Sequence, residues 1–253
     1  MRVIVTRPAA QATGWVEALR ARGQDAQALP LIGIEPPAYL APVHAAWNAL
    51  GTCALVVFVS ANAVQHFFAA RPAGASWPVP LPAGSTGPGT SAALRAAGVT
   101  TIEEPAHDAG QFDSEALWAR LAAQPWAGRD VLVVRGAEGR DWLAERLRAC
   151  GARVSFVAAY RRVPPVLDAA GQALLAAAQL QPGQHLWLFS SSEAVANLCG
   201  LAPHADWSGA QAWASHPRIA QAARDAGFGA VEEVAPKADA VVQRLQQRLQ
   251  GAR

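Results

Sequence analysis

Two stretches of this 253-residue chain repeat each other, and any fold has to accommodate both copies. Residues 1–37 align with residues 129–165 at a shift of 128 and without a gap. Val3, Val5 and Arg7 meet Val131, Val133 and Arg135, and Glu17 meets Glu145. Leu19-Arg20-Ala21 meets Leu147-Arg148-Ala149, Gly23 meets Gly151, and Pro36-Pro37 meets Pro164-Pro165. At a shift of 131, Phe58, Ser60, Ala63 and Val64 match Phe189, Ser191, Ala194 and Val195. At a shift of 129, Pro88, Arg95 and Gly98 match Pro217, Arg224 and Gly227. An alanine-rich composition raises chance matching, but it does not generate colinear arginine, glycine and Pro-Pro pairs. The pattern is that of a duplication.

Each copy alternates strand and helix. Val3–Val5 and Val131–Val134 are short apolar β-branched runs, as expected of buried parallel strands. Gln11–Arg22 and Asp141–Cys150 carry apolar residues at helical spacing, and Gly23 and Gly151 follow where a C-terminal cap glycine belongs. Ala28–Ile34 and Val154–Val163 read as second strands, and Leu55–Val59 and Leu186–Phe189 as third strands. Helices then follow over Ala61–Ala69 and Glu193–Leu198. Pro88 and Pro217 sit where a first-turn proline is favoured. Such alternation implies an α/β fold with parallel sheets covered on both faces. The two Pro-Pro stops divide the chain into three segments. Residues 38–160 form one expected domain. Residues 1–34 and 166–253 combine into a discontinuous other, with linkers at 35–37 and 161–165.

Composition narrows the function. The net charge is +2, and 20 of the 21 basic residues are arginine, Lys237 being the exception. Arginine offers a planar fork suited to carboxylate and phosphate, although GC-rich coding produces the same bias. No run of basic residues is longer than Arg161-Arg162, so no basic stripe for nucleic acid is expected. No uninterrupted apolar run approaches membrane length. Val3-Ile4-Val5 follows the start directly, without the regions of a signal peptide. Cys53, Cys150 and Cys199 are odd in number and share no metal-ligand spacing, which points to reduced thiols in a cytoplasmic protein.

In parallel α/β sheets, ligands bind at the carboxyl ends of strands. Those positions hold Thr6-Arg7 and Arg135-Gly136, Ser60-Ala61-Asn62 and Ser190-Ser191-Ser192, and Gly87-Pro88-Gly89-Thr90 and His216-Pro217-Arg218. Hydroxyls, amides and guanidiniums beside free backbone N–H groups suit anions. The same hydroxyls also serve as ordinary N-caps. Gly87–Ala92 fits G-x-G-x-x-A, but no convincing strand precedes it and its repeat partner lacks glycine. No Walker A lysine and no G-x-S-x-G elbow is present. The histidines at 44, 66, 107, 185, 204 and 216 never pair at helical ligand spacing. Tyr160 stands on the strand entering the second Pro-Pro stop. Its repeat partner is Ile32, so the duplicated fold does not itself require a phenol there.

The ordered blocks Val3–Pro8, Leu29–Ile32, Phe58–Val64, Gly87–Thr90, Val134–Gly136, Val157–Arg162, Phe189–Ser192 and Ala214–Gly227 together resemble the uroporphyrinogen-III synthase family. The resemblance implies two flavodoxin-like α/β domains joined by a two-stranded linker, with a substrate cleft between them. It implies the substrate hydroxymethylbilane, a linear tetrapyrrole with eight carboxylates. The product would be uroporphyrinogen III, closed with its last ring inverted and with loss of water, in heme biosynthesis. It implies no cofactor and no metal. Tyr160 would be the proton donor to the leaving hydroxide. Arg7, Ser60, Asn62, Thr90, Arg135, Ser190, Ser191 and Arg218 would hold substrate carboxylates, Arg7 and Arg135 being equally suited to internal salt bridges. The family commonly carries a Gly-Pro-Thr-Thr turn where this chain has His216-Pro217-Arg218-Ile219, which puts Arg218 in place of a threonine. A monomer is expected, with transient contact with the preceding pathway enzyme and neither nucleic acid nor membrane as partner. The alternative is a non-catalytic bilobal anion-binding or sensor protein of the same fold.

Overall fold

The computed structural model describes residues 1–106 and 113–251; His107 lies outside them. The chain opens with β1 (Arg2–Val5), α1 (Ala9–Arg20), β2 (Ala26–Ala28) and β3 (Gly33–Glu35). It continues through α2 (Ala41–Ala49), β4 (Leu55–Phe58), α3 (Ala61–Ala69), β5 (Ala83–Ser85), α4 (Pro88–Ala96), β6 (Ile102–Glu103) and α5 (Ser114–Leu121). The second copy begins with β7 (Asp130–Gly136), α6 (Trp142–Ala149) and β8 (Arg153–Val163). It ends with α7 (Ala169–Leu180), β9 (His185–Phe189), α8 (Ser192–Leu201), β10 (Gln211–Ala214), α9 (Pro217–Asp225), β11 (Ala230–Glu233) and α10 (Ala238–Gly251).

Two compact units result. One combines Met1–Gly33 with the chain from Val163 onward; the other is Ile34–Arg162. The first unit's sheet runs β11-β10-β9-β1-β2 and the second's runs β3-β8-β7-β4-β5-β6. With β7-β8 numbered as the counterparts of β1-β2 and β4-β5-β6 as those of β9-β10-β11, both orders apart from β3 read 2-1-3-4-5, the flavodoxin-like order. Each sheet takes its first two strands from one copy and its last three from the other. The copies have therefore exchanged halves. The chain crosses between units once in each copy, at 33/34 and at 162/163, ahead of both proline pairs.

The duplicated positions do duplicated work. Gly23 and Gly151 end α1 and α6 at φ 77° and 86°, and Gly98 and Gly227 end α4 and α9 at 86° and 91°. A side chain at those angles is strained, which is why glycine survives in both copies. Ser60 and Ser191 are the N-caps of α3 and α8, and Pro88 and Pro217 open α4 and α9.

Two sequence expectations change. Ala28–Ile34 is not one strand: β2 pairs with β1 in one sheet, and β3 joins the other beside β8. Pro30, which lacks an N–H for a ladder, stands in the break. A strand also does precede Gly87: Ala83–Ser85 pairs in parallel with β4.

The cores explain the strand sequences. Leu55–Phe58 is buried at every residue, because helices cover both faces of its sheet. One face packs Trp47, Phe58, Phe67 and Leu94; the other packs Leu117, Trp126, Val133 and Leu147. In the first unit Val3, Val5, Leu186, Leu188 and Trp213 pack against Val16, Leu19, Val241 and Leu245. Each fully buried side chain of this kind contributes about 1.5–3 kcal/mol relative to exposure. Among the described residues no helix is long and apolar enough to cross a membrane.

Candidate active site

In each sheet the strand order reverses between the first and third strands, β1 with β9 and β7 with β4. Backbone connections leave such a switch point in opposite directions, opening a crevice at the carboxyl ends. Thr6-Arg7 and Ser190 stand there in the first unit, and Arg135-Gly136 and Ser60 in the second.

In the second unit the crevice is built around Tyr160. Its hydroxyl lies 3.3 Å from Ser60 Oγ, a hydrogen bond in which either oxygen can donate. Ser60 Oγ also accepts the Ala63 N–H at 3.1 Å, which fixes the serine at the positive end of α3. Tyr160 is 97% buried, so its phenol is held rather than free to swing. Gly136 is what admits it. A Cβ at Gly136 would lie 3.0 Å from Tyr160 Cζ and 3.3 Å from its hydroxyl. An irregularity in the β7–β8 register between Arg135 and Gly136 brings this glycine opposite the tyrosine. The His66 ring lies tilted at 6.0 Å from the Tyr160 ring. Partial burial pushes the His66 imidazole below its ordinary pKa, so it favours the neutral form.

The other candidates of this unit differ in availability. Asn62, the second residue of α3, is buried, and its side-chain amide makes no hydrogen bond among the described residues. Thr90 is buried in the first turn of α4, with Ser91 Oγ donating to Ser85 Oγ at 2.8 Å nearby in sequence. Arg135 is committed internally. It forms an ion pair with Asp141, reaches Gly139 O at 3.4 Å, and stacks 4.2 Å over Phe156.

Arg7 in the first unit is different. Its guanidinium stacks 4.5 Å over Trp15, and among the described residues its one polar side-chain contact is Gln11 Oε1 at 3.5 Å. No carboxylate pairs with it among the described residues. Burial pushes its pKa down, the mark of a cation deprived of water. Arg7 and Ser190 line one recess, with Trp15, Trp213 and Ser215. Ser191 caps α8, accepting the Glu193 N–H at 3.2 Å. Arg218 is exposed in the first turn of α9; its own N–H is accepted by His216 Nδ1 at 3.1 Å. The histidine thus caps this helix.

The structure therefore brings Arg7 together with Ser190, and Ser60 together with Tyr160. Ser191, Thr90 and Arg218 stand on other helix N-termini of the same units. Sequence reasoning missed Trp15, Trp213, Ser215 and His66, and it placed Gly136 at a strand end without its part in admitting Tyr160. Ser215 carried a signal, since the shift of 129 pairs it with Thr86, another hydroxyl, which donates to Val59 O at 3.1 Å. The tyrosine's neighbours carried none, because Ser60 and Tyr160 stand 100 residues apart. Among the described residues no three His, Cys, Asp or Glu side chains gather to hold a metal ion.

The model of the protein family described as uroporphyrinogen-III synthase HemD matches residues 14–243. The uroporphyrinogen-III synthase of Salmonella typhimurium is 33% identical over 175 residues, which span 69% of this chain and 70% of that protein. That of Synechococcus elongatus is 32% identical over 215 residues, 81% of this chain and 77% of that one. Two solved structures share the fold. The uroporphyrinogen-III synthetase of Helicobacter pylori superposes with a TM-score of 0.60 at 16% identity, covering 98% of this chain and 100% of that one. A mutant synthase from Thermus thermophilus gives 0.57 at 17% identity, covering 99% of each chain.

Proposed function

The chain belongs to the uroporphyrinogen-III synthase family, and we infer from that membership and from its strand-end residues how it closes a linear tetrapyrrole. The reaction is the cyclisation of hydroxymethylbilane to uroporphyrinogen III, with inversion of the terminal ring and loss of water. The enzyme is a cyclising lyase that works without a cofactor. The family match over most of the chain is the observation that carries this reading. The proposed setting is cytoplasmic, with a monomer that meets the preceding pathway enzyme transiently.

The residues suggest the division of labour. Loss of hydroxide from the hydroxymethyl carbon leaves a cation stabilised by its own pyrrole nitrogen. The departing oxygen gains from a proton donor that carries no charge at neutral pH, and a phenol is one. Tyr160 fits that role. When Ser60 donates to the phenol oxygen, the phenolic proton is left for the leaving group. The neutral His66 beside it adds no positive charge to compete with the cation. Attack of the cation on the substituted carbon of the terminal ring gives a spiro intermediate, which fragments and recloses inverted at that ring's unsubstituted carbon; the proton lost from this carbon balances the one given to the departing hydroxide.

Selecting that carbon is a matter of holding the chain in one curl. Carboxylates bound by Arg7, Ser60, Asn62, Thr90, Ser190, Ser191 and Arg218 would hold it. Backbone N–H groups at helix N-termini supply further donors. Arg135 contributes less, because Asp141 already neutralises it. The test is isomer analysis. Purified protein given hydroxymethylbilane should yield the type III isomer, whereas the spontaneous reaction yields type I. Accumulation of type I alone would overturn the reading.

A further inference from the structure

We propose that His66 is a positioning residue for the proton-donating phenol: its ring holds the Tyr160 side chain in place, and a proton on that ring slows turnover. The inference rests on the role proposed for Tyr160 and adds the residue through which packing and pH reach it.

Three residues confine the phenol. Ser60, the N-cap of α3, meets its hydroxyl at 3.3 Å. Gly136, at the end of β7, leaves room along its Cζ–Cε2 edge. His66, on α3, has its ring centroid 6.0 Å from that of the tyrosine and its plane tilted by 30°. That separation is within the range of interacting aromatic pairs. Two of these three contacts come from one helix and its cap, so α3 sets both where the hydroxyl bonds and where the ring rests. Among the described residues neither imidazole nitrogen makes a hydrogen bond, so His66 does not compete for the phenolic proton. It acts through the tyrosine.

The duplication supplies a control within the molecule. The shift of 131 that pairs Ser60 with Ser191 also pairs His66 with Asn197, and the buried Phe67 with the buried Leu198. Asn197 Nδ2 donates to Leu31 O at 2.8 Å. Leu31 directly precedes Ile32, the counterpart of Tyr160. One helical position thus reaches the same stretch of chain in both units. In the first, where no phenol stands, it is an amide that clamps the backbone. In the second it is a ring set beside a ring. The residue type follows the phenol, as a supporting role for Tyr160 requires.

The surroundings give a proton on His66 no counter-charge. No other residue of α3 is ionisable. Among the elements packed against it, β4 carries no charge, and Arg95 of α4 is paired with Glu104. On β7, Asp130 is paired with Arg153 of β8, and Arg135 with Asp141. The other titratable groups of β8 are Tyr160, Arg161, which is paired with Glu35, and Arg162. Helix α2 adds His44, and Arg71 beyond the end of α3 is exposed. None of them forms an ion pair with the imidazole among the described residues. Partial burial pushes its pKa down. An imidazolium there would stand beside the tyrosine that serves the leaving group, and its charge would oppose the cation formed as hydroxide departs. Turnover is then complete while the ring is neutral, above the ordinary histidine pKa of about 6.5, and falls as pH drops through the lower folded value.

The experiment exploits the scarcity of tyrosine. Tyr39 and Tyr160 are the two in the chain, and Tyr39 is exposed ahead of α2. Protein grown with tyrosine carrying ¹³C at Cζ therefore gives two resonances, assigned with Tyr39→Phe. In the otherwise wild-type protein the Tyr160 resonance should follow a titration whose midpoint lies below about 6.5. His66→Phe should abolish that step. With hydroxymethylbilane at neutral pH, His66→Ala should lower kcat by about tenfold and change KM by less than about twofold. His66→Phe should restore kcat to within about threefold of the wild type, because a ring again supports the phenol. It should also lack the wild type's fall in kcat on the acid side. In a Tyr160→Phe background, His66→Ala should bring no further loss, as expected of a residue that acts through the phenol. Wild-type kcat in His66→Ala, an acid-side fall retained in His66→Phe, or a Tyr160 resonance that ignores the His66 substitutions would each overturn the assignment. If His66→Ala fails to fold, His66→Phe and the labelled wild type still decide it. If the wild-type protein forms the type III isomer while these results fail, His66 loses its role and the function stands. If type I alone forms, the function falls, and the Tyr160 resonance still reports whether His66 is coupled to the phenol.

Discussion

Arg7 and Arg135 descend from one position of a duplicated sequence, yet they live in opposite circumstances. Arg135 has Asp141, a backbone carbonyl and a phenyl face around it. Arg7 has an indole, a long contact to Gln11 and a recess that it shares with Ser190. The second unit has spent its arginine on its own fold and carries Tyr160 at the neighbouring strand end. The first has no phenol there, because Ile32 stands in the equivalent place, but it keeps a cation available. After duplication one strand end can specialise in holding substrate and the other in moving a proton. The comparison assigns binding effects to the first unit and turnover effects to the second.

The largest expected effect tests that assignment directly. Tyr160→Phe should lower kcat by about a hundredfold, the scale of a lost general acid, with little change in KM. A thermal melt within a few degrees of the wild type's would show that the core had accepted the phenyl ring. Unchanged turnover would remove Tyr160 from the chemistry and dissolve the contrast between the units. Next in size is Gly136→Ala. Its new methyl would press on the tyrosine ring at about 3.0 Å, and kcat should fall by roughly tenfold through misplacement of the phenol. Wild-type turnover in that variant would show that the ring has room to move.

Asp141→Asn sharpens the other side of the comparison. The pair is partly exposed, its carboxylate at 48%, so its loss should cost no more than about 1 kcal/mol in urea unfolding. A cost of several kcal/mol would mean that Arg135 is as starved of water as Arg7 is, and the two sites would cease to differ. The smallest effect concerns His66. Burial holds its folded pKa below the ordinary value, so the unfolded chain binds this proton more readily. The stability linked to it is complete above the ordinary pKa of about 6.5 and is lost as pH falls through the folded value. His66→Gln should therefore flatten the melting temperature slightly between neutral and mildly acid pH. An unchanged slope would show that other groups set it.

Much of this architecture is written locally. The duplication, the capping glycines, the serine caps and the first-turn prolines are short-range features, and a parallel α/β fold follows from their order. Ala28–Ile34 shows where local reading stops. Its residues are apolar enough for one strand; Pro30 marks an interruption, but it does not say that β2 and β3 belong to different sheets. That depends on long-range pairing, of β1 with β9 and β7 with β4, which no window of sequence contains. The candidate site divides in the same way. Hydroxyls and arginines after strands could be found by position. The Ser60–Tyr160 bond could not, and the exposed carboxylate that separates Arg135 from Arg7 becomes visible only when Asp141 and Thr13 are set side by side in the duplicated frame.

The exchanged halves also impose a timetable on synthesis. Val3 aligns beside Leu186 and Val5 beside Leu188, so the opening strand leaves the ribosome long before its neighbour has been translated. The span from Ile34 to Arg162 suffers no such delay, since every strand of its sheet lies within or at the border of one continuous stretch. It can fold while the rest is still being made. The N-terminal segment must wait with β2 on one side of β1 and nothing yet on the other, and during that interval the apolar open edge is exposed to aggregation.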